Sequence, residues 1–253
     1  MTTRVLLLTG TITPAAGMLN NQRNAAEVRL QDYLDALTFY VDAGKGVFDH
    51  ILFYENSGSN LSRIEALRLA AEANDMTLDA VTYVSDINPR RGKGVGELDL
   101  IDRALDHLRA THGEDCQVWK ITGRLIVKNI AKMVRTAPAS FDLYCDMRSV
   151  PLIGERLGGN DWVDTRLIAF SPRWQERCLK GLHERSGIVM EKHLFNAVKE
   201  AEAEDLDIKP RFRAQPRFKG ICGGSLKDYE SFEYRAKDGL RASMRVIAPG
   251  LWI

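Results

Sequence analysis

The sequence predicts an α/β fold built on a mostly parallel sheet with helices on both faces. Two observations carry that expectation. Short apolar runs alternate in regular rhythm with longer amphipathic segments, and each run ends in a polar or glycine-containing turn. A chain of 253 residues, 45% of them hydrophobic, is also long enough to fill one large core of this kind. No repeat, low-complexity linker or clean boundary divides it, so residues 1–253 are read as one domain.

The first run, RVLLLTG, is a buried strand ending at Gly10, and the segment NAAEVRLQDYLDALTFYVDAG is an amphipathic helix closed by Gly44. FDHILFYENSGSN is a strand that breaks into a Ser/Gly turn, after which Asn60 caps a helix from Leu61 to Ala73. LDAVTYVSD is the next strand. A glycine-rich loop, RRGKGVGE, then feeds a helix to about His112, and CQVWKITG follows as a strand. Beyond Arg124 a basic amphipathic helix is expected to about Ala137, then a strand in SFDLYCDMRS and another in TRLIAFS. PRWQERCLKGLHERSG reads as a helix with Pro172 in its first turn, and IVMEKHLFNAVKEAEAE as a helix behind Gly187. Residues 208–253 are basic, aromatic and irregular.

Composition narrows the classes of function. A net charge of +1 argues against a generally polyanionic partner such as nucleic acid. The four cysteines, Cys116, Cys145, Cys178 and Cys222, form no C-x-x-C pair and fit reduced, structural thiols. The N-terminal apolar run is too short for a secretory signal and no stretch approaches a membrane span, so a cytoplasmic protein is expected.

In sheets of this type ligands bind beyond the carboxyl ends of the strands. Thr9-Gly10-Thr11, Glu55-Asn56-Ser57, the loop around Gly92, Gly94 and Gly96, and Thr122-Gly123-Arg124 all lie just past strand ends and can meet in one crevice. The loop matches neither common phosphate fingerprint, since its Lys is not followed by Ser or Thr and it does not follow the first strand. Its three glycines permit close backbone approach beside a helix N-terminus, with Arg90, Arg91 and Lys93 adding charge; they also fit a plain β-to-α turn facing water. Glu97 either caps the new helix or meets a ligand hydroxyl. Lys120 and Arg124 flank a strand end and make a second cationic pair, while Trp119, just before Lys120, suits the core. Glu55, Asn56 and Ser57 either read a nucleobase or ribose or form an Asx turn, and Thr9 is a nucleotide contact or a strand-end hydroxyl. Asp205 and Asp207, the one literal Asp-x-Asp, read as a solvated helix terminus. His193 reads as surface or packing, and His50, His107, His112 and His183 show no ligand spacing.

The blocks LLLTGTI, YENSGS, GKGVGE, KITGR and DMR, in that order, resemble those of a bacterial family of glycosyltransferases associated with surface-polysaccharide genes, whose blocks run L-T-A-T-I, F-x-E-N-S, G-K-G-x-G-E, K-x-T-G-R and D-x-R. The resemblance covers most of residues 4–225, including FKGICGGS, and departs at Gly10, where the family often has Ala. It implies a GT-A-like, Rossmann-type fold and a nucleotide-sugar donor linked to UDP, GDP or CDP. The acceptor it implies is a glycan or a lipid-linked sugar.

Many GT-A enzymes bind Mg²⁺ or Mn²⁺ through Asp-x-Asp after a central strand, and the matching position here is Asp146-Met147-Arg148. Arg148 cannot ligate a metal but can pair with phosphate; either it replaces part of the cation's role, or Asp146 holds the metal alone. Glu191, at a helix start where such enzymes place an acid, is the expected general base if the reaction inverts. The basic aromatic segment after 208 closes over the acceptor, or rests peripherally on an anionic membrane, or is a solvated edge. Two other classes compete. A sugar-1-phosphate nucleotidylyltransferase should carry a glycine-rich basic signature after the first strand, and TGTITPAAG has no Arg or Lys. A non-catalytic RNA-binding module should carry RNP-like motifs, which are absent.

Overall fold

The computed structural model describes residues 2–18, 21–150, 160–185, 189–201 and 205–248. Strand β1 (Thr3–Gly10) lies in the interior of the sheet and helix α1 (Ala26–Ala43) follows it. The chain continues through β2 (His50–Glu55), α2 (Ser62–Glu65), α3 (Arg68–Glu72), β3 (Thr77–Thr82), α4 (Lys93–His112) and β4 (Cys116–Thr122). Next come β5 (Ile126–Val127), α5 (Ile130–Arg135), β6 (Leu143–Tyr144), β7 (Met147–Arg148), β8 (Trp162–Val163), β9 (Leu167–Phe170) and α6 (Pro172–Cys178). The last elements are α7 (Met190–Ala201), β10 (Ile208–Lys209), β11 (Phe218–Lys219) and α8 (Phe232–Ile247).

Seven strands form one sheet in the order β10-β6-β9-β4-β1-β2-β3. All pair in parallel except β9, which runs antiparallel to both β4 and β6. Period-two alternation explains why β1 is apolar at every interior position: Leu6 and Leu8 enter the core under α1, while Val5 and Leu7 enter the core under α4 and α6. Trp119 on β4 is fully buried in the first of these layers, stacked edge-on against Phe141 and Tyr144. The order reverses direction between β1 and β4, and that switch point leaves a crevice at the carboxyl ends of the strands.

Glycine has a definite task at two of these ends. At Gly123 an added Cβ would stand 2.7 Å from the Thr9 carbonyl oxygen, because the Gly123 N–H donates to that oxygen at 3.0 Å and draws β4 against β1. Gly44 ends α1 as expected, its N–H donating to Tyr40, where a Cβ would stand 2.5 Å from the same carbonyl.

Several expected elements differ. The helix expected from Leu61 is two short ones, although Asn60 does accept from the Ser62 N–H at 2.8 Å. The glycine-rich loop is largely helix: α4 begins at Lys93, so Gly94 and Gly96 lie in its first turn, and only Gly92, at φ 92°, takes the backbone shape that favours glycine. The basic helix after Arg124 is just the six residues of α5, preceded by β5, which pairs with β11. SFDLYCDMRS divides between β6 in the main sheet and β7, which pairs with β8. Ser171 caps α6 by accepting from Trp174 N–H at 3.1 Å, with Pro172 in the first turn. Gly187 lies outside the described residues. Part of the stretch after 208 expected to be irregular is helix, since α8 occupies sixteen of those residues. Among the described residues no helix is long and apolar enough to cross a membrane.

Replacing Gly123 with Ala should lower unfolding stability by about 1–3 kcal/mol, the usual cost of overpacking against backbone that cannot move aside. Chemical denaturation read by circular dichroism checks this, and an unchanged midpoint would show that the β1–β4 approach is looser than 2.7 Å implies.

Candidate active site

A cavity of about 660 Å³ opens at the switch point. Thr9, Gly10 and Thr11 from the end of β1, Asn56 and Ser57 beyond β2, and Thr122 and Arg124 beyond β4 line one side. Gly92, Lys93, Gly96 and Glu97 from the start of α4 line another, facing Arg148 and the first-turn carboxylate Glu191 of α7. The turns singled out in the sequence therefore meet in space. Gly94 does not line the cavity; it lets α7 approach, since a Cβ there would stand 3.3 Å from the Met190 Cβ. Gly96 adds no side chain where the first turn of α4 lines the cavity, and the helix dipole at that end favours an anion. Of the neighbouring cations only Lys93 reaches the cavity. Arg91 instead donates to the carbonyls of His183 and Arg185 at 2.7 and 2.6 Å, and Arg90 is exposed.

Four other expected site residues are committed elsewhere. Glu55 is fully buried, and its two oxygens accept from the N–H groups of Ile12 (2.8 Å) and Ser57 (2.9 Å) and from the hydroxyls of Ser57 and Thr82. It is the hub that fixes the turns after β1 and β2, not a ligand contact. Lys120 is 0% exposed, pairs with Glu97 at 2.5 Å and donates to the Thr165 carbonyl at 2.8 Å, so it lies beneath the cavity floor. Burial alone would raise the Glu97 carboxyl, but the Lys120 charge and hydrogen bonds from Lys120 and Thr9 hold it below its usual range. Glu97 thus faces the cavity as an anchored carboxylate. Gly123 serves strand packing, as above.

Asp146 is the fourth. It is buried, its Oδ2 forms an ion pair with Arg245 and its Oδ1 accepts from the Phe212 N–H at 3.3 Å, and it does not line the cavity. Asp164, which does line it, is held bidentately by Arg166 at 2.8 and 2.6 Å. Burial alone would raise the Asp164 carboxyl, yet Arg166 and Arg148 hold it far below the usual carboxylate range. Glu97 is likewise spent on Lys120. Divalent cations need several hard oxygen donors together, and among the described residues no three His, Cys, Asp or Glu side chains converge. The donor set does not fit Mg²⁺ or Mn²⁺ at Asp146.

What the cavity offers instead is guanidinium. Arg148 is 5% exposed, its Nη2 lies 3.3 Å from Asp164, and its Nε and Nη1 have no hydrogen-bond partner among the described residues. Trp162 covers one face of it, 5.0 Å away. Arg124 donates from Nη1 to the Ile221 carbonyl at 3.2 Å, while its buried Nε is also unpartnered among the described residues. Arg241 of α8 lines the same cavity; burial, reinforced by the nearby Arg148 charge, lowers it to about 10. Like charges packed this closely leave the cavity short of an anion.

Several of these residues carried no signal in the sequence. Arg29, within α1, braces the turn after β1 by donating to the Thr11 carbonyl at 2.5 Å. Asp164 and Arg166 precede β9, whose antiparallel direction brings its amino end, not its carboxyl end, to the crevice. Tyr234, Lys237 and Arg241 reach the cavity only because the C-terminal residues are helical. Cys222, expected to be structural, lines the cavity. Burial alone would raise its thiol, but hydrogen bonds from the Ser225 side chain, the Gly224 N–H and Tyr229 bring it down to about 7.

The remaining candidates lie apart. His50 and His112 approach within 2.9 Å at the amino end of the sheet, where burial lowers His50 to about 4. His183 bonds Asp102 at 2.9 Å, and His193 does not line the cavity. Asp207 pairs with Lys209 at 2.6 Å beside exposed Asp205.

No protein-family model matches the chain, and no curated protein matches its sequence. Solved structures share its fold. The inositol-1-phosphate CTP transferase from T. maritima aligns over 94% of this chain and 97% of its own with a TM-score of 0.51 and 11% identity. The mannosyltransferase PcManGT from Pyrobaculum calidifontis, solved with GDP-Man and Mn²⁺, aligns over 98% of this chain and 64% of its own with a TM-score of 0.47 and 14% identity. The architecture is the GT-A-like α/β fold, a mostly parallel central sheet flanked by helices.

Alkylation of Cys222 by iodoacetamide should be half-maximal near pH 7, because the thiolate fraction rises with pH through the thiol's value of about 7. Cys116, raised by burial to about 11, should react far more slowly. Mass spectrometry with a Cys222→Ser control reads this, and a midpoint above the ordinary thiol value of about 8.5 would show that the hydrogen bonds do not activate it.

Proposed function

We propose that the protein is a glycosyltransferase that moves a sugar from a nucleotide diphosphate donor to a glycan or lipid-linked acceptor in surface-polysaccharide synthesis. The observation that carries this reading is Arg148, a buried guanidinium with two nitrogens unpartnered among the described residues, in the lining of the switch-point cavity. A diphosphate would complete it bidentately. Arg124, Lys93 and the bare first turn of α4 supply further positive charge to the same group. Thr9, Asn56, Ser57 and Thr122 are among the polar groups that line the cavity on the side proposed for the nucleoside.

In the reaction an acceptor oxygen forms a bond to the anomeric carbon as the bond from that carbon to the donor phosphate breaks, and the diphosphate leaves with its negative charge. The arginines stabilise the charge that develops there. In an inverting reaction Glu191 takes the acceptor's proton; in a retaining one it only binds the acceptor. No step is assigned to a metal.

The nucleotidylyl-transfer reading, in which a nucleoside triphosphate and a sugar phosphate yield pyrophosphate, is less well supported by the turn after β1. Its Thr11 N–H donates to the Tyr33 hydroxyl at 2.8 Å, its Ile12 N–H to Glu55, and its Thr13 N–H to Ser57 at 3.0 Å. Those N–H groups are spent inside the protein, and the turn contains no Lys or Arg.

Thermal shift against UDP, GDP, CDP and their sugars tests the proposal: one nucleotide series should stabilise the fold, by about 2.7 kcal/mol at a hundred times its dissociation constant. Stabilisation by none, or pyrophosphate release from a triphosphate plus a sugar 1-phosphate, would overturn it. Arg148→Ala should weaken nucleoside diphosphate binding by about 1.5–3 kcal/mol, the usual worth of a hydrogen bond to a charged group, measured by calorimetry. If the reaction inverts, Glu191→Gln should lower kcat by about 10²–10⁴-fold while leaving that affinity unchanged.

A further inference from the structure

Helix α8 is turned inside out. At 100° per residue its Tyr234, Asp238, Arg241 and Arg245 share the face directed into the protein, where Arg245 pairs with Asp146 and donates to the Phe212 carbonyl at 2.7 Å. The opposite face carries Phe232, Ala236, Leu240, Ser243, Val246 and Ile247, and Phe232, Leu240, Val246 and Ile247 are 87%, 61%, 83% and 76% exposed. A surface helix normally shows the reverse arrangement, with its apolar stripe toward the core. Single exposed apolar residues are ordinary, but a continuous stripe of them along four turns marks an interaction surface.

A basic groove runs beside this stripe. Gly239, Ala242 and Val246 of α8 form part of its wall, so the two features adjoin. Lys128, Lys132, Arg213, Arg217 and Arg235 line it, all exposed. Its carboxylates are few and engaged: Glu230 with Lys128 at 2.9 Å, and Asp238 with Gln215 at 3.2 Å.

We propose that α8 and this groove form a docking surface for an anionic lipid bilayer, the apolar stripe entering the acyl boundary while the flanking cations meet lipid phosphates. An apolar protein partner would match the stripe alone. A second copy of this chain meeting face to face would set the same five cations against themselves, which like-charge repulsion disfavours. The proposal goes beyond the glycosyl-transfer reading and does not depend on it. Where that reading holds, Tyr234, Lys237 and Arg241 of the same helix line the candidate active site, so docking would bring a lipid-linked acceptor to the cavity mouth.

The test is co-sedimentation of the full chain with vesicles of phosphatidylcholine alone or containing phosphatidylglycerol. Binding is expected only to the anionic vesicles and should fall as salt rises. The doubly substituted Leu240→Asp, Ile247→Asp protein and the Lys132→Glu, Arg217→Glu protein should each bind about tenfold or more weakly. All four positions are exposed, so thermal stability should hold; Phe232→Ser alone serves if the first double variant unfolds early. Three results would overturn the proposal: wild-type protein left in the supernatant with anionic vesicles, equal binding by the Leu240→Asp, Ile247→Asp protein, or a dimer in size-exclusion chromatography that those substitutions dissolve. Nucleotide-induced thermal stabilisation should be the same in these variants and the wild type, so a failure here stands apart from a failure of the nucleotide-sugar reading.

Discussion

A guanidinium shielded from water with two of its donors unsatisfied is an unfavourable arrangement, and the candidate site is organised around one. Among the described residues Arg148 has lost nearly all its hydration and has recovered only the Trp162 ring over one face and a 3.3 Å contact with Asp164, a carboxylate that Arg166 already holds on two sides. Leaving a buried charged donor unpaired costs at least about 1–3 kcal/mol, so the fold tolerates here a penalty that an incoming anion would remove. Arg124 and Arg241, which line the same cavity, add to the same deficit. Fixed side-chain charge stands at this end of the sheet, and Asp146 is neutralised by Arg245.

Fixed charge is useful only if its surroundings hold still, and two devices keep them so. Glu55 ties the turns after β1 and β2 into one rigid unit through hydrogen bonds from Ile12, Ser57 and Thr82. Gly123 brings the end of β4 into main-chain contact with Thr9. Both sit directly behind the cavity lining, where they position residues that meet the ligand space without meeting it themselves. Lys120 and Glu97 extend the same logic to α4, their buried ion pair fastening the helix start to the centre of the sheet.

The C-terminal helix joins two surfaces. Its charged face closes the candidate site and holds Asp146, which leaves its apolar face no place in the core. The price of that inward polarity is an outward stripe of Phe232, Leu240, Val246 and Ile247 next to a basic groove.

The sequence by itself determined the sheet-and-helix alternation, the four parallel strands β1 to β4, the burial of Trp119 and the set of turns that meet beyond strand ends. Each follows from local periodicity and from the rule that parallel strands expose their carboxyl ends on one side. It also singled out Arg148 and Glu191, which the fold brings to one cavity. Only the tertiary structure decided which polar side chains face that cavity and which brace it from behind. Glu55, Lys120 and Asp146 look like ligands in a linear reading, because pairing with Ile12, Glu97 and Arg245 depends on contacts between residues 23 to 99 positions apart. The antiparallel course of β9 was equally hidden, since a short apolar run has no direction of its own, and with it the arrival of Asp164 and Arg166. Helix α8 was hidden as well: the residues after 208 read as irregular, and which face of the helix turns inward depends on the buried carboxylate that Arg245 finds there.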